Sequence, residues 1–87
     1  MVSQEFVVKN PTGIHARPAS MLVELCNTIP DNITIITSDG TSVNPKSIVS
    51  VLMGGMVKGM KITIQVDGAN EAESLKKIVD LLDGLTE

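Results

Sequence analysis

The chain has 87 residues, with ten acidic and seven basic side chains, one histidine, one cysteine and one aromatic residue. That length supports one hydrophobic core, so residues 1–87 read as a single domain. A hydrophobic content of 43% with only 20% charged residues excludes a disordered chain. The net charge of −3 and scattered lysines offer no basic face to phosphate backbones, and Phe6 alone makes no stacking platform, so nucleic acid is excluded as a partner.

Cys26 has no cysteine to pair with, and one cysteine plus one histidine cannot furnish a structural zinc site. No metal and no cofactor is therefore expected. No apolar run is long enough to span a bilayer and the first residues lack the pattern of a secretory leader, so a cytoplasmic protein without membrane insertion is expected.

From Val2 to Lys9 the β-rich content, with Gln4, Phe6 and Val8 on one parity, predicts a strand that Asn10, Pro11, Thr12 and Gly13 end. Between Ala16 and Asn27, Ala19, Leu22, Val23 and Cys26 recur at helical spacing and Pro18 suits a first turn, which predicts a helix. After the break at Pro30, Asp31 and Asn32, the β-branched run Ile33 to Thr37 predicts a second strand with Ile33 and Ile35 on one face. The turn dipeptide Asp39-Gly40 then leads into a short third strand, Thr41 to Asn44.

Ser47 to Met53 is apolar without alternation, opens on a good N-cap and stops at Gly54 and Gly55, which predicts a short helix. Ile62, Ile64 and Val66 alternate with Lys61, Thr63 and Gln65, the pattern of a well-paired, half-buried strand. The last segment, Asn70 to Asp83, carries the helical stripe Ala72, Leu75, Ile78, Val79 and Leu82, with Asn70 and Glu73 placed for a capping box and Gly84 as the stop. The order βαββαβα, with strands that have one polar face, predicts a two-layer antiparallel sheet-and-helix sandwich of the α/β (α+β) class.

The chemistry concentrates in NPTGIHARPAS, Asn10 to Ser20, where His15 stands in the turn feeding the first helix. The first N–H groups of a helix lack intrahelical partners and carry the positive end of its dipole, so an anion is favoured there. The backbone of Ala16 and Arg17 is placed to supply such groups, and the Arg17 guanidinium is a planar fork suited to phosphate oxygens. On the residues alone a phosphate site competes with a plainer reading, a solvated loop histidine beside an ordinary surface arginine. A hydrolytic triad is weaker still, since no acid is locally placed to orient the imidazole.

The segments GIHARPAS, NPKSIVSV and GMVKG, in this order and spread along the chain, resemble the HPr family, the histidine-containing phosphocarriers of the bacterial phosphoenolpyruvate:sugar phosphotransferase system. The resemblance implies an open-faced sandwich of four antiparallel strands with three helices on one face. It implies that His15 carries a phosphoryl group on Nδ1, received from enzyme I and passed to the A domains of enzymes II during sugar uptake, with Arg17 stabilising the phosphate. Such a protein is a relay and not an enzyme in its own right, and a monomer is expected.

Ser47 matches the position that a dedicated kinase, HPr kinase/phosphorylase, phosphorylates in many Gram-positive members of the family. Its plainer role is the N-cap of the short helix, and the two are compatible. Ile48, Val49, Leu52, Met53 and Met56 are more apolar residues than one core face of so short a segment needs, so Val49 and Leu52 are expected partly at the surface. The resemblance implies that Ile48, Val49, Leu52 and Met53 form a docking patch with the His15 loop; the alternative is that all five are core.

Two departures from the family pattern fall near Ser47: Gly54 stands where a larger apolar residue is usual, and Pro45 biases Asn44 toward extended geometry. A paralogue with glutamine in place of the active histidine is excluded by His15. Two other readings remain: a carrier of a nitrogen-related or dihydroxyacetone-kinase phosphotransfer chain, and a small adaptor in which HARPAS is only a helix start.

Overall fold

The computed structural model describes residues 1–86, so Glu87, the last residue of the expected domain, lies outside the described residues. Seven elements follow in the expected order: β1 (Val2–Val7), α1 (Arg17–Asn27), β2 (Asn32–Ile36), β3 (Ser42–Val43), α2 (Ile48–Met53), β4 (Lys61–Asp67) and α3 (Glu71–Asp83). The four strands make one antiparallel sheet in the order β1-β4-β2-β3. β4 lies between β1 and β2, and its alternation buries Ile62, Ile64 and Val66 on one face.

The register lines up that face across the sheet. Ile64 faces Ile35 on β2 and Gln4 on β1, while Val66 faces Ile33 and Val2. All three helices contribute side chains to the core this face forms: Ala19, Leu22 and Cys26 from α1, Val51 from α2, and Leu75, Ile78 and Leu82 from α3. The expected open-faced sandwich is therefore the observed architecture. At the β2–β3 turn Gly40 takes φ +87°, and Asp39 accepts hydrogen bonds from the Thr37 hydroxyl and the Thr41 N–H. Those donors, the Thr37 hydroxyl first, hold the Asp39 carboxyl below the usual carboxylate range.

The last helix differs from its sequence reading in three details. Ala72 is exposed and Ser74 is buried instead. Ser74 turns inward because its hydroxyl donates to Asp31 Oδ2 at 3.1 Å, a buried pair linking the loop before β2 to α3. Second, neither Asn70 nor Glu73 makes the expected capping box: Asn70 has no side-chain cap bond, Glu73 pairs with Lys77 one turn on, and Glu71 Oε2 accepts the Gly68 N–H at 3.3 Å. Third, Gly84 ends the helix with φ −88°, in right-handed geometry, so its freedom to go left-handed is not used.

Candidate phosphoacceptor site

Between β1 and α1 the chain turns tightly under Asn10. The Asn10 carbonyl accepts the Gly13 N–H at 3.1 Å, and its buried side-chain Nδ2 donates to the Gly13 carbonyl at 2.6 Å. Ile14 is then buried, and its N–H donates to the Met56 carbonyl at 2.9 Å. His15, between the anchored Ile14 and the helix start, is left exposed.

Ala16 is the N-cap of α1 with φ 54° and ψ −121°, the one non-glycine residue with positive φ among those described. A side chain in that region costs roughly 1–3 kcal/mol, a strain that persists only where the surroundings enforce it. Here the enforcement comes from both sides, through the Ile14 bond to Met56 and through Pro18, which fixes φ in the first turn and buries its ring. Ser20 N–H donates to the Ala16 carbonyl at 3.1 Å and starts the helical ladder, while no side chain caps the helix. Arg17 is the first helical residue and its side chain is exposed.

The structure thus brings His15, Ala16 and Arg17 together at one helix start, solvent-accessible and without an acid side chain in the first turn. An exposed imidazole beside the positive end of a helix dipole and a guanidinium can receive a dianion on a ring nitrogen, with charge-assisted hydrogen bonds to meet it.

Ser47 is the N-cap of α2: its backbone is extended, and its Oγ accepts the Ser50 N–H at 3.3 Å. Asn27, at the C-terminal end of α1, donates through Nδ2 to the Lys46 carbonyl at 3.1 Å and so holds the approach to Ser47 against that end. The exit of α2 meets the other end of α1 through the Met56–Ile14 bond. Ser47 and His15 therefore sit near opposite ends of α1, which at 1.5 Å per residue is about 16 Å long.

The surface of α2 lies between them. Val49 (61% exposed), Met53 (81%), Ile48 and Leu52 all face out, so the reading in which all five apolar residues are core is corrected. Met56 alone of the five is buried, with its carbonyl accepting the Ile14 N–H below His15, and Val51 is the residue α2 puts in the core. Met21 and Val57 are further exposed apolar residues at this end of the fold that the sequence reading passed over. The signal was present for Met21, which follows Arg17 by one helical turn and so shares its face.

A shallow open groove where β3 leaves β2, lined by Asn32, Thr34, Ser42, Asn44, Lys46 and Ser50 among others, includes none of the three residues at the helix start. Among the described residues no cluster of histidine, cysteine, aspartate and glutamate could hold a metal ion, and no helix is long and apolar enough to cross a membrane.

Comparison with known proteins agrees with this architecture. The family described as the PTS HPr component phosphorylation site matches residues 2–83. HPr-C-His from Thermoanaerobacter tengcongensis is 32% identical, with 95% of this chain and 92% of that one covered and a TM-score of 0.90. Phosphocarrier protein HPr from Bacillus anthracis str. Ames is 31% identical, with 92% and 94% covered and a TM-score of 0.86. Crh, the Bacillus subtilis catabolite repression containing protein, is 30% identical, with 100% and 99% covered and a TM-score of 0.75. By fold, by sequence and by extent of the match, the chain belongs to the HPr family of phosphotransferase-system phosphocarriers.

Proposed function

We propose that this chain accepts a phosphoryl group from enzyme I on Nδ1 of His15 and passes it to the A domains of sugar-specific enzymes II. The observation that carries the reading is the exposed imidazole one residue before the N-cap of α1, with Arg17 as the first residue of that helix. In charging, the Nδ1 lone pair attacks phosphorus, a P–N bond forms, and the bond to the donor breaks with its electron pair leaving on the donor; in delivery the acceptor's lone pair attacks phosphorus and the P–N bond breaks with its pair returning to Nδ1. Such a step needs alignment and charge stabilisation more than covalent help; the backbone of Ala16 and Arg17 and the Arg17 fork supply the second.

Ile48, Val49, Leu52 and Met53 serve as the docking patch, so that partners which reach His15 also cover α2. Ser47, at the edge of this patch, is a regulatory target of an HPr kinase/phosphorylase. Phosphate there adds close to two negative charges beside apolar side chains that a partner must desolvate, which slows charging of His15.

The test is incubation with enzyme I and phosphoenolpyruvate followed by intact mass. Wild type should gain one acid-labile phosphate, and His15→Ala, which removes an exposed side chain and leaves the fold intact, should gain none. Acid-labile phosphate on His15→Ala, or none on wild type, contradicts the assignment.

A further inference from the structure

The turn that carries His15 is seated on the chain leaving α2. A Cβ added to Gly13 would lie 2.5 Å from the Met56 carbonyl oxygen and 3.0 Å from Val57 Cα. Both are backbone atoms, so no change of side-chain rotamer can clear them. The same Met56 oxygen accepts the Ile14 N–H, and Gly13 holds φ at +69°, a region L residues with a side chain rarely adopt.

We propose that Gly13 is a positioning residue for phosphoryl transfer: its missing side chain lets the turn settle on the Met56 carbonyl, and that contact sets the place of the imidazole two residues on. The role rests on the reading of His15 as the phosphoacceptor. Relieving a methyl group from 2.5 Å to ordinary van der Waals separation requires a shift of about 1 Å. A misplacement of about 1 Å can cost about a hundredfold in rate, because the acceptor nitrogen must lie in line with the bond being broken. The docking proposed above is made chiefly by α2, and none of the atoms nearest the added Cβ belongs to that helix.

Two controls separate position from strain. Gly40 takes φ +87° in the β2–β3 turn with nothing within 4 Å of an added Cβ, so Gly40→Ala carries the backbone penalty without the contact. Gly13→Asn keeps the contact and relieves part of the penalty, since asparagine tolerates positive φ. Initial rates of His15 phosphorylation by enzyme I and phosphoenolpyruvate are measured against the concentration of each variant, with thermal melts on the same samples. Gly13→Ala and Gly13→Asn should both lose about ten- to a hundredfold in kcat with KM nearly unchanged, while Gly40→Ala melts lower and keeps wild-type kcat.

Wild-type kcat in Gly13→Asn overturns the positioning role, as does a loss of kcat in Gly40→Ala that follows its loss of stability. If Gly13→Ala does not fold, Gly13→Asn decides. Wild-type protein that takes no phosphate on His15 overturns the acceptor reading and the positioning role with it, and the wild-type arm alone distinguishes that failure from the others.

Discussion

Ser47 caps α2, a role separable from the phosphorylation proposed for it, and removing its hydroxyl tests the cap. α2 is six residues long and buries one of them, Val51, so it has little packing to hold it and depends on its ends. The Ser47 Oγ accepts the Ser50 N–H at 3.3 Å, and the Val51 N–H reaches the Ser47 carbonyl at 3.0 Å. Ser47→Ala deletes the first bond and leaves the second. Loss of an N-cap hydroxyl costs about 1 kcal/mol, and the long bond places this cap in the lower half of the known range. For a domain of this size about 1 kcal/mol lowers Tm by roughly 4–8 °C, so a fall of about 3–6 °C is expected by calorimetry. Ser47→Asp, which keeps an acceptor at the same place, should stay within about 2 °C of wild type, since Asp caps as well as Ser. His15 charging by enzyme I is then measured on the same proteins. Ser47→Ala should charge at the wild-type rate despite its lower Tm, Ser47→Asp more slowly, and kinase-treated protein most slowly. A Ser47→Ala protein that melts with wild type would show that the cap contributes nothing; kinase-treated protein that charges as fast as Ser47→Ala would leave Ser47 as a cap only.

Arg17→Lys keeps the charge but loses the planar fork, so the rate of transfer from enzyme I to an enzyme II A domain should fall with Tm unchanged; unaltered kinetics would remove Arg17 from the phosphate site. Ser74→Ala leaves the buried Asp31 carboxyl without its hydroxyl partner and should cost about 1–3 kcal/mol, read from the urea midpoint at constant m. Burial pushes the Cys26 thiol up to about 12, against a smaller lowering by the Lys46 charge. The unfolded chain ionises this thiol near pH 8.5 and the folded chain does not, so the stability this group contributes is complete below that pH and is lost as pH rises toward 12. Denaturation at pH 7, 9 and 10 should show that decline in wild type and a shallower one in Cys26→Ala; equal slopes would show that the thiol ionises as easily folded as unfolded.

Most of the secondary structure was legible because its signals are local. The alternation around Ile62, Ile64 and Val66 and the spacing of Ala19, Leu22 and Cys26 report directly which face each element turns to the core, and each element appears within a residue or two of its expected bounds. The same holds for the position of His15 and Arg17 beside a helix start, which needs only the turn residues before it and Pro18 within it. Ala72 and Ser74 show the limit of such reasoning. Periodicity favours the alanine, yet Ser74 is buried because Asp31, 43 positions earlier, offers its carboxyl across the fold. Glu71 likewise displaces Glu73 at the start of α3 by reaching the Gly68 N–H.

What the sequence by itself determined is therefore the kind, order and inward face of the elements, together with the residues that gather at the first helix start. Only the tertiary structure decided the strand order β1-β4-β2-β3, the outward turn of Ile48 and Met53 beside the Val49 and Leu52 already expected at the surface, and the seating of Gly13 and Ile14 on the Met56 carbonyl. The physical reason is range. Hydrophobic periodicity and capping are settled among residues a few positions apart, whereas which apolar side chains of a short helix remain in solvent, and which carbonyl a distant N–H finds, depend on segments that become neighbours only when the whole core closes.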